Sequence, residues 1–330
     1  MHWLTFALAA VAVILAGIKL ASFGDALGRR SGIGQGWIGL LFLATITSIP
    51  ELTTTITGAS IGAPNIAVGN AFGSNLFNVA IIAVIDILLL RRGTLLTSIR
   101  HYHVTSAGIA ILLTALAALG ILLEAPPLVA GVSAVTWLIF LGYIGGVYLL
   151  FLVERREGAT EPERKATPTL PVALIGFLVC AAIIIAAGIF LVRSSKAISE
   201  ATGLSATFMG AILVAIVTSL PELATSIGGL RLRAYDMILG NLLGSNMFNI
   251  LTVFFADLAF RRGSLLAGLG GGATDQLIVG FLGIAITSVA IIGIGARSRR
   301  TLLTVGVDAA LILAIYLGGA ALLIHRGIGL

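Results

Sequence analysis

Apolar residues in this chain come in runs of about twenty, separated by short polar stretches, from one end to the other. Runs of that length suit helices crossing a hydrocarbon core about 30 Å thick. Ten are predicted, over residues 3–23, 36–59, 65–90, 103–123, 128–152, 171–193, 205–229, 236–260, 275–295 and 302–324. The most polar interval, Glu154 to Pro168 (ERREGATEPERKATP), divides them five and five. The expected organisation is a first five-helix unit over 1–153, a linker over 154–170 and a second five-helix unit over 171–330. The first run follows Met1 directly and has neither a basic leader nor a small-residue cleavage site. It is expected to stay as a helix rather than be removed.

The polar positions inside these runs repeat. Residues 44–78 read ATITSIPELTTTITGASIGAPNIAVGNAFGSNLFN, and 215–249 read AIVTSLPELATSIGGLRLRAYDMILGNLLGSNMFN. A constant offset of 171, with no gap, superposes T-S-x-P-E, G-N-x-x-G-S-N-x-F-N and, further on, Asp86 with Asp257. Hydrophobic helices match by chance in their leucines and alanines, not in an ordered set of polar residues, glycines and a proline. The chain is an internal duplication. Five spans per unit is an odd number, so the second unit enters the membrane the other way up. Transporters built as inverted repeats place their substrates near the midplane, on interrupted helices.

Composition excludes a soluble domain: 58% of residues are hydrophobic, 10% are charged and the mean hydropathy is +1.10. Cys180 is the single cysteine and lies within a predicted span, which removes intrachain disulfide chemistry. The net charge of +6 is read first as membrane orientation rather than as attraction to nucleic acid. With the N-terminus outside, fifteen Lys and Arg residues fall on the inner side and five (Arg193, Lys196, Arg261, Arg262, Arg326) on the outer. That asymmetry predicts a multi-pass cell-membrane protein with both termini outside and the central linker cytoplasmic.

Glu51 and Glu222 stand well inside their spans, where an ionised carboxylate is costly unless neutralised. All twenty Lys and Arg residues fall at span ends or in predicted loops, so the counter-charge is expected to be mobile: bound metal ions or protons. Pro50 and Pro221 precede the glutamates, and a proline within a helix releases the carbonyl four residues earlier. Carbonyls near Ile46 and Val217 are thereby freed, and the second and seventh helices are expected to be broken. Ser48 and Ser219 add hydroxyls three residues before each glutamate, and hard cations take oxygen ligands of this kind. In the third span Asn70, Ser74 and Asn78 form a stripe with a spacing of four, which Asn241, Ser245 and Asn249 repeat. Gly69 with Gly73, and Gly240 with Gly244, are small-residue pairs that allow helices to approach closely.

The paired A-x-x-T-S-x-P-E segments, each followed by G-N-x-x-G-S-N, resemble the alpha-repeats of the sodium/calcium exchanger family, in its prokaryotic form. The resemblance spans the ten-helix layout. It implies an all-α integral membrane protein of ten transmembrane helices, arranged as two inverted five-helix repeats. It implies that Glu51 and Glu222 are the central ion ligands. Side chains of Ser48, Ser74, Ser219 and Ser245, and backbone oxygens of Ala44, Thr47, Ala215 and Thr218, would complete the set. Asn78 matches the family's usual amide, whereas Asn249 stands where many members carry an aspartate, leaving two carboxylates. The implied activity is exchange of calcium for sodium by alternating access, with calcium/proton exchange as the alternative. Calcium, sodium and the lipid bilayer are the implied partners; no chemical cofactor, nucleic acid or obligate protein partner is implied.

Other candidates have plainer readings. Asp86 and Asp257 precede Arg-Arg-Gly and are expected to meet those arginines at the membrane edge. His101 and His103 fall in a basic loop without a nearby carboxylate, and His2 and His325 fall near the termini. Asp308, inside the last predicted span, has no repeat partner. Trp3, Trp37 and Trp137 suit interfacial anchors. The glycines at 268 and 270–272 join two spans. No Ser-His-Asp set, H-E-x-x-H or nucleotide motif is present, so an enzyme is not expected, and a channel is disfavoured by the broken, inverted repeat.

Overall fold

The computed structural model describes residues 1–30, 37–89, 95–96, 99–124, 128–157, 169–231, 233–296, 301–302 and 305–327. Its elements in chain order are α1 (His2–Arg30), α2 (Trp37–Thr47), α3 (Ile49–Ser60), α4 (Pro64–Leu88), α5 (Tyr102–Leu122) and α6 (Ala134–Glu157). After the linker come α7 (Leu170–Thr202), α8 (Ala206–Phe208), α9 (Ala215–Thr218), α10 (Leu220–Arg231), α11 (Tyr235–Ala259), α12 (Ala273–Ala296) and α13 (Val307–Gly327). A π-helical turn, Met209–Val214, joins α8 to α9, and a 3₁₀ segment, Ala267–Gly272, leads into α12. The protein is an all-α membrane protein: among the described residues nine helical stretches are long and apolar enough to cross a bilayer. The pair α2 and α3, divided at Ser48, occupies the place of the remaining predicted span.

The layering follows from composition. The three least apolar long stretches, α11, Ala206–Arg231 and α4, are the most buried, because their polar residues need protein partners that lipid cannot supply. The outer helices expose large apolar residues at helical spacing, such as Leu4, Leu8, Val11 and Leu15 on α1, the signature of a lipid-facing stripe. Glycine sets how closely the inner helices meet. A Cβ at Gly73 would overlap the backbone of Ala211 in the π-helical turn, and one at Gly244 would stand 2.9 Å from Cβ of Ala44. Gly73 and Gly244, one from each predicted small-residue pair, are thus points of close approach between the repeats.

Several boundaries differ from the expectation. Residues 128–133 and 301–306 were predicted to open helices, but each contains a tight antiparallel hairpin, β1 (Leu128–Val129) with β2 (Val132–Ser133) and β3 (Thr301–Leu302) with β4 (Val305–Gly306). Asp308 therefore lies in the first turn of α13, at the opening of the last span, and its carboxylate accepts from the Ala309 N–H at 2.9 Å. The first helix runs on to Arg30, and α6 continues through Glu157, four residues into the predicted linker, of which 158–168 lie outside the described residues. Helix α7 extends nine residues beyond the predicted end, so Lys196 is helical rather than in a loop. At 33 residues it is about 50 Å long and stops where Gly203 adopts φ 76°. The Lys196 ammonium then reaches the Ile61 carbonyl at 3.1 Å.

One buried aspartate also differs from expectation. Asp257 accepts from the N–H groups of Leu265 (2.6 Å) and Ser133 (2.8 Å) and from the Thr136 hydroxyl (2.7 Å). Asp86 accepts from Leu95 N–H at 3.0 Å and Gly306 N–H at 3.1 Å. Among the described residues neither is ion-paired; Arg91 and Arg92 lie outside them. Among the described residues these carboxylates are held by main-chain donors and, for Asp257, by the Thr136 hydroxyl. His103 was expected in a loop without a carboxylate nearby; it is buried in α5 with Nε2 3.1 Å from Asp236 Oδ1. Trp137 donates to the Val129 carbonyl at 3.0 Å and packs edge-on to Phe254, while the Trp37 side chain lies outside the described residues.

Candidate cation site

Both predicted interruptions are present, and they are breaks rather than kinks. Ser48 has φ −88° and ψ 11°, and Ser219 has φ −91° and ψ 6°, values in the sparsely occupied bridge region that stop one helix and start the next. Pro50 and Pro221 sit at the opening turn of the new helices, where a missing N–H costs nothing. Glu51 and Glu222 follow in those first turns, a position that favours negative charge.

All twelve predicted ligand residues are 0% exposed. The two broken helices meet head to head, and their contacts are reciprocal. The Ser219 hydroxyl donates to Glu51 Oε1 at 2.8 Å, and the Ser48 hydroxyl donates to Glu222 Oε1 at 3.3 Å. Each serine was expected beside the glutamate of its own helix; the break turns it toward the other repeat's glutamate instead. The Thr218 hydroxyl donates to Asn70 Oδ1 at 3.1 Å, and the Thr47 hydroxyl donates to Asn241 Oδ1 at 3.2 Å. Asn75 and Asn246 exchange amide-to-carbonyl bonds of 3.1 and 3.2 Å. Every pair maps onto its mate by the offset of 171, as an approximate two-fold axis through the Asn75–Asn246 contact requires.

The serines of the stripe close the ring. Ser245 Oγ lies 3.3 Å from Glu222 Oε1, from the Ala44 carbonyl and from Thr47 Oγ1; Ser74 Oγ lies 3.5 Å from Thr218 Oγ1. The Ala44 carbonyl also accepts from Ser48 N–H at 3.1 Å, and the Ala215 carbonyl accepts from Ser219 N–H at 3.0 Å. The second oxygen of each glutamate, Oε2, is buried without a hydrogen-bond partner. Asn78 donates to Asn246 Oδ1 at 3.0 Å, yet its own Oδ1 is unpartnered, and both polar atoms of the Asn249 amide are unpartnered. Asn78 and Asn249 are therefore buried beside the ring without a hydrogen bond to either glutamate. Neither glutamate forms an ion pair among the described residues.

Orphaned buried carboxylate and amide oxygens, with hydroxyls and carbonyls around them, are the coordination chemistry of a hard cation. No group of three His, Cys, Asp or Glu residues occurs among the described residues, so the donor set is two carboxylates and neutral oxygens. That combination suits Ca²⁺, Na⁺ or a proton better than a transition metal. Sequence reasoning passed over Asn75 and Asn246, one residue after each stripe serine. Their signal was present, since both G-S-N segments repeat the amide.

The chain matches the sodium/calcium exchanger protein family over residues 1–151 and 172–325. It belongs to that family. A sodium/calcium exchanger, MaX1, of Methanosarcina acetivorans is 26% identical over 259 residues, covering 69% of this chain and 74% of the relative. Among solved structures, the H⁺/Ca²⁺ exchanger CAX superposes with a TM-score of 0.72 at 12% identity, covering 99% of this chain and 87% of its own. The sodium-calcium exchanger NCX_Mj superposes with a TM-score of 0.62 at 21% identity, covering 97% and 99%. At those identities the superpositions establish the fold. The protein is a multi-pass membrane exchanger of the cation/calcium class, a transporter whose substrates are ions.

Proposed function

We propose that the protein exchanges calcium for sodium by alternating access, with Glu51 and Glu222 as the shared ligands. The observation that carries this reading is the pair of buried, unpartnered Oε2 atoms on carboxylates that form no ion pair among the described residues. One Ca²⁺ or two Na⁺ would balance the pair, so the two ions compete for the same charge, the basis of exchange. Ser48, Ser219, Ser74 and Ser245, the oxygens of Thr47 and Thr218, the carbonyls of Ala44 and Ala215 and the amides of Asn78 and Asn249 are the neutral donors of the same site. No cofactor enters the cycle.

Ten crossings in two inverted units accommodate the contacts between chain ends. Arg100 with Asp236 belongs to one predicted face; Asn65 with Leu269, Lys196 with Ile61 and Asp275 with Arg326 belong to the other. We assign the first face, with the linker, to the cytoplasm and place both termini outside, on the strength of the basic-residue asymmetry.

A second reading, calcium/proton exchange, is favoured by Asn249: with the usual acid absent, the two glutamates alone carry the transported charge. One experiment separates them. In proteoliposomes loaded with sodium, an outward sodium gradient at equal pH drives calcium uptake. Uptake driven as well by a pH gradient in sodium-free buffer would replace sodium with protons. Uptake indifferent to both gradients would overturn exchange.

A further inference from the structure

Two asparagines of the polar stripe touch neither glutamate side chain, yet each links both broken helices. Asn241 Nδ2 donates to Thr225 Oγ1 at 3.0 Å in its own repeat, while its Oδ1 accepts from Thr47 Oγ1 at 3.2 Å in the other. Asn70 repeats the arrangement: Nδ2 donates to Thr54 Oγ1 at 2.7 Å, and Oδ1 accepts from Thr218 Oγ1 at 3.1 Å. Both amides are buried, at 2% and 0% exposure.

Each hydroxyl has a single proton to place. The Thr225 hydroxyl has one proton, and it is spent on main-chain carbonyls, Pro221 at 3.0 Å or Glu222 at 2.9 Å. Thr225 Oγ1 receives from the asparagine, with the amide nitrogen facing it and the amide oxygen facing Thr47. Thr54 is likewise committed, to the Pro50 carbonyl at 2.9 Å or the Glu51 carbonyl at 3.1 Å, which orients Asn70. Thr47 and Thr218 have a competing acceptor within their own helices, the Ala44 carbonyl at 3.2 Å and the Ala215 carbonyl at 3.3 Å. Without the amide oxygen their protons would go there, tying up a carbonyl of the site and turning the hydroxyl lone pairs elsewhere.

We propose that Asn70 and Asn241 are positioning residues of the exchange site. Each accepts the hydroxyl proton of the opposite repeat's threonine, so that the threonine oxygen keeps its lone pairs for a cation and the carbonyl three residues before it, which already accepts one main-chain N–H, keeps its second. The inference rests on the cation-site reading above. It also has a distinctive consequence: in the apo protein the threonine proton has a substitute acceptor, so loss of the amide weakens cation binding much more than it weakens the fold.

The test is equilibrium calcium binding by the purified full chain in detergent, paired with thermal unfolding without calcium. Asn241→Leu is expected to raise the calcium Kd about tenfold, within the range of coupled neighbours, with little change in the apo midpoint. Thr47→Val should do the same, and the double variant should be no weaker than the worse single. Asn241→Leu with Thr218→Val, which lies on the other bridge, should multiply. Thr225→Val removes the acceptor that orients Asn241 and should move Kd in the same direction; Thr225→Ser should restore it. This second pair decides the matter if Asn241→Leu does not fold. An unchanged Kd, independent effects of Asn241→Leu and Thr47→Val, or a Kd change matched by apo unfolding sinks the positioning role while wild-type binding stands. Wild-type protein that binds neither calcium nor sodium saturably sinks the site reading, and this inference with it.

Discussion

The Ser219 hydroxyl donates to Glu51 Oε1 at 2.8 Å across the boundary between repeats, so the break in one half holds the carboxylate of the other. Neither half alone builds a site, and substitutions in one are expected to be felt in both.

Replacing either glutamate removes half of the site's charge. Glu51→Gln and Glu222→Gln should each lower gradient-driven calcium flux at least ~100-fold, the scale of losing about 3 kcal/mol of binding. The expression level and thermal midpoint of the apo protein should hold or rise, because an unpaired buried charge is costly to the fold. Flux in proteoliposomes with matched protein content checks this.

Calcium should stabilise the protein by mass action. At 100 times Kd the gain is about 2.7 kcal/mol, read as a higher unfolding midpoint in detergent, and it should vanish in the Glu51→Gln/Glu222→Gln double variant. A midpoint that rises equally in the double variant would place the calcium elsewhere.

Restoring an acid at the departing position should change ion use. Asn249→Asp brings a third carboxylate to a place where both amide atoms lack partners. The sodium dependence of calcium flux should become steeper, with a higher Hill coefficient, as another monovalent ion is needed for neutrality. An unchanged sodium dependence would remove Asn249 from the site.

The buried aspartates predict the opposite pattern. Asp257→Asn turns an amide toward one or more of three donors, and leaving a buried donor unsatisfied costs about 1–3 kcal/mol. The thermal midpoint should fall by several degrees, while calcium Kd per folded molecule stays near the wild-type value.

The helices, the duplication and the two breaks were legible in the sequence because they depend on residue type and spacing, and the twelve ligand candidates, completed by the family resemblance, are all buried. It did not show which repeat each side chain serves. Ser48 was read against Glu51 on one helical face, yet a single residue in the bridge region ends that face and sends the hydroxyl to Glu222. His103 and Asp236 are 133 positions apart, and their pairing is set by how α5 lies on α11. Asp257 precedes two arginines, but the hairpin before α6 offers main-chain donors first, at no cost in side-chain entropy. The short hairpins at 128–133 and 301–306 stayed hidden because their apolar residues merged with the runs that follow.

The exchange of amide bonds between Asn75 and Asn246 makes the centre of the molecule nearly self-similar under rotation. A device whose two ends are near copies has little built-in preference for facing either way. Near-equal ends would let it turn over at similar rates in either sense, so the same chain would load or unload a compartment as the ion gradients dictate.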